Sequence, residues 1–112
     1  MNMRKAKIFY RDDLAGILTE KDDGHFSFQY NKEYVVKFPD QFLSFTMPVT
    51  HIPFEEKRLF PFFEGLIPEG WLLDIAAKNW KINPSDRMGL LMLCCQNCIG
   101  AVSVKSIPVE NE

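Results

Sequence analysis

The stretch KAKIFYRDDLAGILTEKDDGHFSFQY, residues 5–30, decides the fold. Ala6, Ile8 and Tyr10 alternate with Lys5, Lys7 and Phe9, a period of two that marks a strand. The polar RDD at 11–13 is a turn, and LAGILTE beyond it offers Ile17 and Leu18 for packing. KDDG at 21–24 is a second turn, because Gly24 reaches positive φ at little cost. In HFSFQY, Phe26, Phe28 and Tyr30 face one way and His25, Ser27 and Gln29 the other. These residues predict a three-stranded antiparallel meander with one face in water.

The remaining elements follow from local signals. NKEYVVKF at 31–38 makes a short helical turn before Pro39. FLSFTMP at 42–48 reads as a short extended piece stopped by Pro48, and Pro53 to Lys57 as a loop or helix start. EGWLLDIAAKNW at 69–80 follows Pro68, a residue favoured at helix starts. NPSDRMGLLMLCC at 83–95 reads as a helix with Asn83 as N-cap, Pro84 in the first helical position and Asp86 one turn in. IGAVSV at 99–104 is β-branched and predicts a closing strand. The expected class is α+β, a small antiparallel sheet with helices packed on one face.

Bulk properties narrow the function. A chain of 112 residues is expected to form a single domain, residues 1–112, with one core. Ten phenylalanines make that core aromatic. The formal charge is −2 and no basic run or stripe appears, which argues against direct nucleic-acid binding. No run nears the roughly 20 apolar residues that span a bilayer. The basic start MNMRKAKIFY has no apolar segment after it, so the expected location is the cytoplasm.

Candidate chemical sites are sparse. Cys95 and Cys98 form a C-x-x-C within CCQNC, but a zinc site needs four ligands. His25 and His51 lie far off in sequence, and a redox pair opens a helix where this one would close it. The three cysteines are read as small packing side chains, with no disulfide. Asp12/Asp13, Asp22/Asp23 and Glu55/Glu56 are read as solvated turn and loop acids. No nucleophile elbow, metalloprotease helix, P-loop or dinucleotide fingerprint is present. The expectation is a non-enzyme without metal or cofactor.

The segment FPFFEGLIPEGW at 60–71 sets large apolar side chains among prolines and glycines. It serves either as a buried corner or as a handle for another protein. At about 100° per residue, Leu72, Leu73, Ala76, Ala77 and Trp80 share one apolar stripe. Trp71 and Ile75 fall instead beside Asp74 and Lys78. A tryptophan off the core face either folds back on Phe62 or Phe63 as a hydrophobic staple or enters a partner's pocket, as interface tryptophans do.

FFEGLIPEG at 62–70, LSFTMPV at 43–49, AKIFYRDDLAGIL at 6–18 and the closing IGAVSV together resemble the N-terminal subdomain of HipA-type serine/threonine kinases. Those kinases are toxins of bacterial toxin–antitoxin systems. They continue into a kinase core that carries the nucleotide site and the catalytic Asp, a part with no counterpart in this chain. A free-standing subdomain of this kind is similar to the HipS-like small component of tripartite HipBST systems. The resemblance implies an antitoxin that binds a separate HipT-type kinase, with a HipB-type helix-turn-helix protein as third member. In place of CCQNCIGAV, relatives carry something like IGRDSVGAV, which fits the packing role of the cysteines. The partner-binding candidates are Trp71 as anchor, Ile75 beside it, and Pro68, Glu69 and Gly70 setting the approach. The alternative is a non-catalytic subdomain or accessory subunit of a HipA-type kinase that serves complex assembly rather than inhibition.

Overall fold

The computed structural model of the chain describes residues 4–67, 78, 83, 85–94 and 102–107. The meander is present: β1 (Arg4–Tyr10), β2 (Asp13–Glu20) and β3 (Phe26–Tyr30) pair antiparallel in sequence order. Two further strands extend it. β4 (Phe54–Glu56) pairs with β3, and β5 (Val102–Ile107) pairs with β1, both antiparallel. The sheet therefore runs β4-β3-β2-β1-β5.

Both hairpin turns use positive φ. Arg11 (φ 51°) and Asp12 (φ 73°) form the two-residue link between β1 and β2, closed by the Tyr10–Asp13 pair. Positive φ at both central residues matches the twist of the flanking strands. Gly24 (φ 89°) ends the second turn, whose Lys21 N–H donates to the His25 carbonyl at 2.8 Å. Ala15 is the extra residue of a bulge, since Ile8 pairs with Gly16 and Phe9 with Leu14. Gly16 is required where it sits: a Cβ there would lie 2.3 Å from the Gln29 carbonyl oxygen.

One face of the sheet carries the core. Ala6, Ile8, Leu18, Phe26, Phe28, Tyr30 and Val104 are buried on it. Ile17 points the other way and is only half-buried, because consecutive strand residues face opposite sides. The helices α1 (Lys32–Lys37), α2 (Pro61–Glu64) and α3 (Arg87–Cys94) add Tyr34, Phe63, Met88, Leu90 and Leu91 to the same core. Phe28 packs edge-on to Tyr30 at 4.9 Å and tilted to Phe63 at 5.7 Å between ring centres. The aromatic content thus goes into a ring network joining sheet and helix. The expected α+β class holds.

Three local expectations are corrected. Residues 53–57 contain the strand β4, not a loop or helix start. Its pattern of one half-buried Phe54 and two exposed glutamates carries no local period, and the open edge of β3 supplies its hydrogen bonds. FLSFTMP does not run extended: it turns tightly at 44–47, with the Met47 N–H on the Ser44 carbonyl at 2.9 Å. Asn83 is not the cap of α3. Its side-chain oxygen accepts from the Ser85 N–H at 2.9 Å, an Asx turn. Asp86 caps the helix instead, accepting the Gly89 N–H at 3.2 Å, while its carbonyl takes the Leu90 N–H at 3.0 Å.

Candidate partner-binding surface

The segment 60–67 answers half of the question raised by FPFFEGLIPEGW. Phe60, Phe63 and Ile67 are buried, and Phe62 packs against Phe63 at 5.2 Å between ring centres. This half is a corner of the core. An ion pair ties it to α3, and Arg4 in turn ties α3 to the sheet. Arg87 of α3 donates to Glu64 of α2 from Nη2 at 2.9 Å and from Nε at 3.2 Å. Arg4 of β1 grips Asp86 with both terminal nitrogens, at 2.7 and 3.0 Å, and Glu20 with Nε at 2.6 Å. The Arg4 bonds hold the Asp86 carboxyl below the usual carboxylate range, and the same bonds to Asp86 and Glu20 raise Arg4. The five partner-binding candidates, Pro68, Glu69, Gly70, Trp71 and Ile75, lie outside the described residues, as do Trp80, Cys95 and Cys98. Lys78, the one described member of that stretch, is helical and exposed.

A surface the sequence reading missed lies between α1 and β4. Among the described residues, the exposed large apolar side chains are Val36 (78%), Phe42 (37%), Phe45 (90%) and Ile52 (71%). Phe42, Phe45 and Ile52 fall within this one connection, and Val36 lies in the last turn of α1 just before it. Leu43 and Met47 are buried on either side of Phe45, so the tight turn drives the intervening ring outward. Phe42 lies against Phe45 at 5.2 Å between ring centres.

Two tyrosines hold this segment to the sheet. The Tyr30 hydroxyl donates to the Met47 carbonyl and accepts the Leu43 N–H at 3.1 Å. Tyr34 donates to the Gln41 carbonyl at 2.6 Å and stacks on Tyr30 at 5.8 Å. Burial raises both hydroxyls, Tyr34 to about 12, so each remains a neutral donor at physiological pH. The polar residues around Phe45, Ser44 and Thr46, are bonded to each other at 3.1 Å. That Ser-Phe-Thr pattern was the available signal for a turn with an outward ring.

The described residues offer little for chemistry. A cleft of about 550 Å³ is lined by His25, Glu55, Glu56, Lys57, Arg58, Leu59 and Pro61. It mixes charges of both signs. His25 Nδ1 lies 3.0 Å from Asp23 Oδ2 at a half-exposed site. Among the described residues no group of three or more His, Cys, Asp or Glu side chains could hold a metal ion, and no helix is long and apolar enough to cross a membrane.

The relatives of the chain place this aromatic-cored sheet and its anchored apolar turn in a known family. The HipA N-terminal domain model matches residues 6–105, and the chain belongs to that family. The solved N-terminal domain of HipA toxin superposes with a TM-score of 0.72 at 31% identity, covering 96% of this chain and 95% of that one. An uncharacterized protein of Haemophilus influenzae is 36% identical over 103 residues, 92% of each chain. The match is thus to a non-catalytic domain of a toxin, and the chain is a HipA-related toxin–antitoxin component.

Proposed function

We propose that this chain is an antitoxin that binds and neutralises a separate HipT-type serine/threonine kinase. One observation carries the reading: on a domain whose family includes part of the HipA toxin, four large apolar side chains stand in water along residues 36–52. Burying each such side chain is worth roughly 1.5–3 kcal/mol, and exposed apolar rings in contact with each other, as Phe42 and Phe45 are, suit an interaction site. Trp71 is the main anchor, with Ile75 beside it and Pro68, Glu69 and Gly70 directing the chain into the kinase. The Phe42–Phe45 turn supplies a second apolar contact. An inhibitory interface buries about 1,200–2,000 Å², more than any single side chain provides.

Co-expression tests the reading. An antitoxin restores growth of cells making the kinase. An accessory subunit that serves assembly leaves toxicity unchanged or deepens it. Trp71→Ala then separates the anchor from the fold: its loss of rescue with a wild-type circular dichroism spectrum supports the assignment, and full rescue removes it.

A further inference from the structure

The outer face of the sheet is polar on one half and basic on the other. Strand register places Lys7 directly opposite Lys105, and Lys5 follows Lys7 two positions away on the same side. All three are exposed. Their neighbours on this face are half-buried: Ile17 opposite Lys7, Thr19 and Ile107 opposite Lys5, and Phe9, whose ring lies 5.5 Å from Lys105 Nζ. Among the described residues, none of the three lysines makes an ion pair. Glu55, in the row of Lys5 at the far side of the sheet, is taken by Lys21 at 3.0 Å. Asp22 and Asp23 approach this face only beyond the end of β2, beside Lys5.

Like charges directly across a strand pair destabilise it, so the Lys7–Lys105 pair is not there for the sheet. Lysines do blunt exposed sheet edges, which accounts for Lys105 on the edge strand β5. It does not account for Lys5 and Lys7 on β1, an interior strand. The chain as a whole is acidic, at −2, so the local positive field runs against the overall charge.

We propose that the outer face at β1 and β5, centred on Lys5, Lys7 and Lys105, docks an acidic surface of a partner polypeptide, the kinase of the proposed function, on which this inference rests. Half-buried apolar side chains among the charges suit a protein surface, where apolar contact and charge pairing occur together. Nucleic acid suits it less. Proteins that bind DNA through phosphates make about 6–10 such contacts, and three lysines above an acidic chain fall short of that. A second copy of this chain would bring lysine against lysine.

The test is titration of the purified chain into its HipT-type kinase at rising salt. The variant carries Lys5→Glu, Lys7→Glu and Lys105→Glu. Wild-type binding is expected to weaken as salt rises. The variant is expected to bind about tenfold or more weakly at about 0.05 M salt, and the difference to shrink at about 0.5 M. The Lys-to-Glu exchange at both 7 and 105 keeps a like-charged pair across the strands, so thermal unfolding should stay close to wild type; if the reversed chain fails to fold, glutamine at the same three positions, which does remove the repulsion, replaces it. Equal affinity and equal salt dependence in wild type and variant overturn the proposal while leaving the kinase-binding reading intact. No complex with wild-type protein overturns both. Binding to a short generic DNA duplex that the variant loses, with kinase affinity unchanged, reassigns the face to nucleic acid and also overturns the proposal.

Discussion

Arg4 and Asp86, 82 positions apart in the chain, meet through two hydrogen bonds of 2.7 and 3.0 Å. The contact joins the first strand to the first turn of α3, where Asp86 also caps the helix. Asp86→Ala should cost about 1–2 kcal/mol, as loss of a cap together with a part-exposed ion pair. Asp86→Asn should cost less, because asparagine still caps. The Asp86 carboxyl is depressed from 3.8, so its contribution is complete above that pH and is lost as pH falls through the folded value below it. Denaturant unfolding of wild type and Asp86→Asn, compared at neutral and strongly acid pH, should show the gap closing in acid.

Tyr30 holds the Phe45 turn from beneath. Tyr30→Phe leaves the Leu43 N–H and the Met47 carbonyl without their buried partner, at a cost of about 1–3 kcal/mol. Amide hydrogen exchange should accelerate at residues 43–47 before it does in β1 or β2.

The second tyrosine predicts alkaline behaviour. Tyr34 is raised from 10.0 to about 12. A raised group contributes fully below its unfolded value and loses that contribution as pH rises to the folded one. Stability should therefore fall between pH 10 and about 12. Phenolate absorbance followed against pH should show late-titrating tyrosine in the folded protein, lost on unfolding.

Gly16→Ala places a methyl 2.3 Å from the Gln29 carbonyl oxygen and 2.7 Å from the Phe28 ring. The strand backbone has to move, so thermal unfolding should shift down by an amount equivalent to about 1–3 kcal/mol. The opposite sign is expected at the first hairpin. Arg11→Asn with Asp12→Gly matches the positive φ at both sites and should stabilise by about 1 kcal/mol in thermal denaturation.

These sites also show what was legible in the sequence. β1 to β3 could be read because alternation in HFSFQY and the two polar turns are local signals. β4 could not, because three residues hold less than two periods and their pairing depends on an edge 26 positions away, where Phe54 meets Phe28. The turn at Phe45 was misread because the hydroxyl that fixes it belongs to Tyr30, 17 residues upstream of Met47. The cap of α3 was misplaced because Asn83-Pro84 is itself a cap-like pair, and the Gly89 N–H on the Asp86 carboxylate shows only in the fold. The buried half of FPFFEGLIPEGW was legible as one of two outcomes.

The most direct measurement is the affinity of the purified chain for the HipT-type kinase proposed as its partner, read with growth rescue, in wild type, Trp71→Ala and Phe45→Ala. The account predicts a tight wild-type complex that restores growth. It predicts a loss of about 2 kcal/mol or more of binding for Trp71→Ala, on the scale of an interface hot spot, and a smaller loss for Phe45→Ala, each in a folded chain. No complex with wild-type protein, or a complex that leaves the kinase fully toxic, would contradict it.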